Sequence, residues 1–184
     1  MGRVLFHLSV SIDGFFEGPD HDLSWQLVDE ELHQHFNDES RRVHAFLEGR
    51  RTHELMAAYW PTADTDPSSA SVEKEFAGIW RDMPKVVYSR TIEEAGWNST
   101  VAREVDPDAV RRLREQGDLS VGGPGLADAF FRQGLVDEVR LYVHPVVIGA
   151  GRRPFGEGLA LRLDLQATRT FTSGVTLLDY TVRR

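Results

Sequence analysis

The residues of this chain best suited to chemistry lie at one junction. The run Asp118-Leu119-Ser120-Val121 is short and strand-like, and it ends in two adjacent glycines, Gly122 and Gly123. Pro124-Gly125-Leu126 follows at once and opens a helix-like segment. Adjacent glycines there let backbone amides approach an anion with no side chain intervening, and the helix N-terminus beyond them adds unpaired N–H groups and partial positive charge. The chemistry favoured is phosphate binding, with a dinucleotide cofactor as the candidate ligand. Two familiar phosphate loops do not fit. A P-loop needs Lys-Ser/Thr after its second glycine, where Gly125 is followed by Leu126-Ala127, and the Rossmann spacing needs a third Gly or Ala where Asp128 stands. A Gly-Gly pair between strand and helix is also an ordinary turn, so the junction alone leaves both readings open.

Other constellations carry less. His33 and His35 stand two apart on a predicted helix and point roughly 200° apart, so they cannot share a metal. His53-Glu54 is not a His-Glu-x-x-His zinc motif, because Ala57 occupies the second histidine position, and no Gly-x-Ser-x-Gly elbow is present. No metal site is expected. Trp25, Trp60 and Trp80 follow or sit in helical segments and read as core or cleft-lining residues.

The elements that must position the junction alternate. Residues 4–10 read as a strand ending at Asp13-Gly14. Residues 29–42 read as a helix, with Leu32, Phe36 and Val43 on one face. A short strand at 45–47 is halted by Gly49, a helix over 52–59 is stopped by Pro61, and 61–70 is a polar, loose loop. A helix over 72–80, a strand over 85–89 and an edge-like strand over 97–105 follow. Pro107 near the start and Gly117 at the end bracket a helix over 107–116. Strand 119–121, helix 125–133 and a long strand over 139–147 complete the alternation, with His144-Pro145 read as an edge or bulge feature. The runs 161–171 and 175–183, joined by Thr172-Ser173-Gly174, form a hairpin. This order predicts an α/β domain: a mostly parallel sheet covered on both faces, with antiparallel strands at its end and the ligand at the carboxyl ends of the parallel strands.

Composition bounds the function. A length of 184 residues fits one domain, 1–184, with a substantial core. With 41% hydrophobic and 27% charged residues, the chain has the balance of a soluble globular protein. No apolar run approaches the roughly 20 residues that span a bilayer, and the N-terminus lacks a signal-peptide pattern, so no membrane partner is expected. The absence of cysteine excludes disulfides and thiolate metal sites and suits the cytoplasm. A net charge of −8 argues against general nucleic-acid binding. The basic residues are almost all arginine, with Lys74 and Lys85 the only lysines.

Four motifs in order carry a family likeness: Ser11-Ile12-Asp13-Gly14, Gly49-Arg50-Arg51-Thr52-His53-Glu54, Val86-Val87-Tyr88-Ser89-Arg90-Thr91 and the Gly122-Gly123 junction. The downstream stretch from Val136-Asp137-Glu138 to His144-Pro145 and Gly149 extends it. Together they resemble the dihydrofolate reductase-like superfamily and, within it, stand-alone bacterial proteins related to the reductase domain of riboflavin biosynthesis. The resemblance implies an NADPH-dependent oxidoreductase acting on a small pyrimidine- or pterin-like substrate, as in 5-amino-6-(5-phosphoribosylamino)uracil reductase. That reductase is often fused to a deaminase, and no deaminase zinc motif is present here. The rival expectations are an NADP(H)-binding protein that has lost catalysis and a structural dimerising domain with no nucleotide site. A homodimer is expected from the resemblance and the long apolar late strands.

Residue by residue, the resemblance places Ser11, Gly49, Arg50, Arg51, Thr52, Ser89 and Arg90 around the cofactor, with Gly122, Gly123, Pro124, Gly125 and Leu126 as the pyrophosphate cradle. Guanidinium groups at Arg50 or Arg51 suit the 2′-phosphate that distinguishes NADP from NAD, and Ser89-Arg90 would add a hydroxyl and a second cation. The superfamily's glycine pair carries a cis peptide, and the same is expected at Gly122–Gly123. For substrate and catalysis the candidates are Asp13, which is equally a turn residue before Gly14, and Asp29 or Glu30. The segment Trp25-Gln26-Leu27-Val28-Asp29-Glu30 departs from the folate pattern Trp-x-Leu-Pro by lacking the proline. That departure makes dihydrofolate itself an unexpected substrate. Asp29 also suits a helix N-cap.

Overall fold

The computed structural model describes residues 1–183. Eight strands form one sheet in the order β4-β3-β2-β5-β1-β6-β8-β7. Five of them, β1 (Val4–Ser11), β2 (Ala45–Gly49), β3 (Lys85–Tyr88), β4 (Ser99–Ala102) and β5 (Leu119–Gly122), run parallel with β6 (Glu138–His144). The last two, β7 (Leu163–Thr170) and β8 (Thr176–Val182), are antiparallel additions beyond β6. Helices α1 (Glu30–Arg42), α2 (Arg50–Tyr59), α3 (Ser71–Asp82), α4 (Pro107–Leu113) and α5 (Pro124–Arg132) fill the crossovers.

Local chemistry sets most helix starts. The Asp29 side chain caps α1 by accepting the Leu32 N–H at 2.9 Å. Glu30 and Glu31 in its first turn and Arg41 and Arg42 in its last complement the helix dipole. Pro107 and Pro124 occupy the first turns of α4 and α5, where a missing N–H costs no helical bond. The stretch expected as a loose loop at 61–70 is partly ordered: Trp60–Thr65 is a 3₁₀ helix. Arg81 on α3 holds it by donating to the Pro61 carbonyl at 2.8 Å and to Asp64 at 2.6 Å, a long-range tie that no local pattern announces. His144-Pro145 is likewise not an edge or bulge. His144 is the last residue of an interior strand, paired with Ser11, and Pro145 falls just after the ladder, where its missing N–H ends β6 early.

The two faces of the sheet differ. Val4, Phe6, Ala45, Leu47, Leu119, Val121 and Val139 point to the side covered by α4 and α5, where Phe6 meets Phe131 edge-on at 5.4 Å. Because side chains alternate along a strand, the residues between them face α1, α2 and α3. That second set includes Leu5, His7, Ser9, Phe46, Glu48, Ser120, Arg140 and Tyr142. A parallel sheet covered on both sides ordinarily reads as continuous apolar strands. Here the interior strands alternate, because one face borders a cavity instead of a dry core.

Candidate functional site

Three of the sequence motifs converge at the carboxyl ends of β2, β3 and β5. Gly49 and Gly123 are the N-cap residues of α2 and α5, and neither end has a side-chain cap bond, so the first-turn amides of both helices stay available. The two ends are in contact. A Cβ built on Gly123 would lie 2.4 Å from Thr52 Oγ1, one on Gly122 would lie 3.4 Å from Thr52 Cγ2, and one on Gly49 would lie 3.8 Å from Leu126 Cβ. Only glycine fits at 123, where the backbone also takes φ +88°. The structure corrects one expectation here. The described residues contain no cis peptide, so the bond between Gly122 and Gly123 is trans. The chain turns into α5 through the positive φ of Gly123, a rotation that glycine makes at no steric cost.

The basic residues at this edge are set differently from one another. Arg50 pairs with Glu54 at 3.2 Å across one turn of α2. Arg51 donates to Nε2 of His21 at 2.8 Å, and the other ring nitrogen of His21 lies 2.9 Å from Glu17, which Arg152 also grips at 2.7 Å. Arg90 has no ion-pair partner among the described residues and is exposed. Ser89 is buried, and its Oγ accepts the N–H groups of Thr91 and Ile92 at 3.2 and 3.3 Å, which shapes the turn leaving β3. Ser11 performs the same service after β1, accepting the Phe15 N–H at 3.0 Å.

The glycine junction opens onto a cavity of ≈ 420 Å³ between the polar face of the sheet and α1–α3. Thr52, Gly122 and Gly123 form one end of it, and Phe36, Phe46, Trp60 and Phe76 supply aromatic walls. On the floor, His7 lies on β1 with Nδ1 3.2 Å from Ser120 Oγ. Its ring is exposed to the cavity yet enclosed by protein, and loss of bulk solvation, aided by Arg140, lowers its pKa to about 4. Neutral imidazole is therefore the form present at physiological pH. Arg140 is held by Glu39, by Glu138 at 3.1 Å and by Asp179 at 3.3 Å. Glu48, on β2 beside Gly122, is buried and accepts from His53 Nδ1 at 2.8 Å, while His53 Nε2 donates to the Ala95 carbonyl at 2.9 Å. The Glu48 hydrogen bond raises the His53 pKa.

None of the three acids singled out in the sequence lines the cavity, and two of them are engaged elsewhere. Asp13 accepts the Gly149 and Ile148 amides at 2.8 and 3.3 Å, tying the β1 turn to the segment after β6, and these bonds together with Ser11 lower its pKa. Asp29 caps α1, and Glu30 lies exposed in its first turn. Conversely, sequence reasoning passed over His7, Glu48, Ser120 and Arg140. The signal was available: Phe6-His7-Leu8-Ser9-Val10-Ser11 alternates apolar and polar in a strand expected to be buried on both sides. Among the described residues no group of His, Asp or Glu is arranged to hold a metal, and no helix is long and apolar enough to cross a membrane.

Comparison with known proteins agrees with this architecture. The RibD C-terminal domain model matches residues 3–177. The uncharacterized protein YyaP of Bacillus subtilis (strain 168) is 32% identical over 183 residues, covering 97% of this chain and 94% of that protein. Among solved structures, a Shewanella sp. PV-4 protein named for riboflavin biosynthesis superposes with a TM-score of 0.75 at 20% identity, over the whole of both chains. Acinetobacter baumannii RibD gives 0.69 at 18% identity, where all of this chain covers 58% of that one. The fold is thus dihydrofolate reductase-like, as the motif order implies. The chain belongs to the RibD C-terminal domain family.

Proposed function

We propose that this protein is an NADPH-dependent reductase of a small pyrimidine- or pterin-like heterocycle. The family supports a reductase of a pyrimidine-like substrate. The observation that carries the finer reading is the side-by-side placement of two uncapped helix N-termini, at Gly49 and Gly123, beside an aromatic-walled cavity that Thr52, Gly122 and Gly123 border. The residues present fit the cofactor. The glycines and Thr52 leave room and amides for a pyrophosphate, Leu126 borders it, and Arg50, Arg51 and Arg90 are cations at the same edge for a 2′-phosphate. When bound, the nicotinamide supplies hydride. The chain's own part is to orient that ring at the glycine end of the cavity, exclude water with Phe36, Trp60 and Phe76, and hold the acceptor against the polar floor.

Calorimetry with NADPH and NADH tests the cofactor. NADPH should bind at least about tenfold more tightly, because paired guanidinium–phosphate contacts are charge-assisted. Arg50→Ala with Arg90→Ala should erase that preference. Equal affinity for the two nucleotides in the wild type refutes the 2′-phosphate assignment. A second reading, cofactor binding without turnover, is favoured by one observation: Asp13, Asp29 and Glu30 all lie off the cavity lining. It predicts saturable NADPH binding with no oxidation by any pterin or pyrimidine. We place a homodimer in the same proposal. The free edge at β7, where Leu165 is 56% exposed, offers it a surface, and sedimentation equilibrium tests it.

A further inference from the structure

The charges around the cavity point to its ligand. Three cations border it, Arg3, Arg42 and Arg140, and every one is already matched. Arg140 carries Glu39, Glu138 and Asp179; Arg3 carries Asp118 and Glu138; Arg42 carries Glu39. Glu48 adds a further carboxylate at the glycine end. The two histidines on the lining, His7 and His33, both have lowered pKa values through desolvation. No cation facing this space lacks a carboxylate among the described residues. A phosphate carried into it would meet no unpaired positive charge and would have to compete with the carboxylates of Glu39, Asp118 and Glu48 for the cations and the imidazole they already hold. The remaining surface is mainly aromatic and aliphatic; Ser9, Gln26, His33, Ser40 and Thr52 are polar groups along it, and His7 stands on its floor. His7 is tied through Nδ1 to Ser120, and its Nε2 has no partner among the described residues.

We propose that the cavity takes an uncharged aromatic heterocycle without a phosphate, stacked among Phe36, Trp60 and Phe76, with one heteroatom on its edge hydrogen-bonded to Nε2 of His7. This rests on reading the cavity as the substrate end of the reductase site. It separates this chain from relatives named for phosphoribosylated uracil: the phosphate-free heterocycle is the substrate class, and His7 is the residue that reads its edge. Hydride transfer to such a ring needs no charged handle for orientation. Shape and one directional bond supply it, as in apolar pockets with few placed polar groups.

The test is a set of binding titrations followed by tryptophan fluorescence. Uridine, riboflavin and neopterin are each compared with their monophosphates, with saturating NADP⁺ present so that the glycine cradle cannot capture the phosphate. At least one unphosphorylated member should bind, and its monophosphate should bind roughly tenfold more weakly or worse, as expected for an unmatched anion in a poorly solvated site. His7→Ala should weaken the unphosphorylated ligand, and His7→Gln, which keeps a hydrogen-bonding group, should recover part of the loss. Glu39→Gln, which frees Arg140 and Arg42 from a shared carboxylate, should narrow the gap between each pair. If Glu39→Gln does not fold, as judged by its thermal transition, Asp118→Asn serves the same purpose at Arg3. Monophosphates binding as well as or better than their parents would overturn the proposal, and so would failure of every unphosphorylated probe. Calorimetry with NADPH alone reports on the cofactor reading separately, so the two ideas can fail independently.

Discussion

Replacing Gly123 by alanine isolates the junction on which the proposed cofactor cradle depends. Two costs can be worked from the structure. The backbone sits at φ +88°, a conformation that side chains rarely adopt, and holding a non-glycine residue there costs about 1–3 kcal/mol. The new Cβ would also stand 2.4 Å from Thr52 Oγ1, well inside contact distance. Thr52 is β-branched and fixed in the first turn of α2, so relief requires backbone movement, which overpacking data put at about 1–3 kcal/mol. The sum is about 2–6 kcal/mol, a large part of the roughly 5–15 kcal/mol that holds a domain together. Urea denaturation of the unliganded protein measures it, with an unchanged m-value as the sign that only stability has moved. Gly125→Ala is the internal control. Gly125 lies in α5 with no atom within 4 Å of the added Cβ, so alanine there should be neutral or stabilising by up to about 1 kcal/mol. Adding Thr52→Ala to Gly123→Ala should recover the steric part and leave the φ part, a coupling of about 1–3 kcal/mol in a double-mutant cycle. Equal stabilities for the Gly123 and Gly125 variants, or no recovery with Thr52→Ala, would refute the reasoning.

Other consequences follow from desolvated polar groups. Desolvation lowers the pKa values of the cavity-facing His7 and the buried His144 to about 4, while the unfolded chain protonates histidine near its ordinary 6.5. The unfolded state then binds more protons between those limits, so stability should fall as pH drops from about 6.5 to 4. The slope should shrink in His7→Gln with His144→Gln, and an unchanged slope counts against neutral, enclosed imidazoles. Lys85 is 2% exposed and donates to the carbonyls of Trp80, Met83 and Trp97, so Lys85→Met leaves three acceptors unmatched and should cost about 1–3 kcal/mol by thermal melting. Asp29→Ala should cost about 1 kcal/mol through the lost cap of α1 and leave turnover unchanged; a fall in kcat without a fall in stability would restore Asp29 to the substrate. Glu48→Gln should lower the His53 pKa, read by NMR titration, because the carboxylate that holds the imidazolium is gone.

Much of this protein is legible from its sequence alone. The order of strands and helices, the cap at Asp29, the prolines opening α4 and α5, and the hairpin at Thr172-Ser173-Gly174 all depend on neighbours within a few residues, and local chemistry sets them. So does the glycine junction, whose need for φ freedom is written in the residue type. Tertiary structure decided the rest. Whether His7, Glu48, Ser120 and Arg140 share one face depends on the parallel register of four strands separated by long crossovers, and no spacing within one strand encodes it. The pairing of Arg3 with Asp118 and of Arg140 with Glu39 and Asp179, and the diversion of Asp13 to the Ile148–Gly149 amides, arise from contacts between segments distant in the chain. The sequence therefore determined where the glycine junction lies. The fold alone decided which side chains look into the cavity beside it, because burial and charge are settled by what packs opposite.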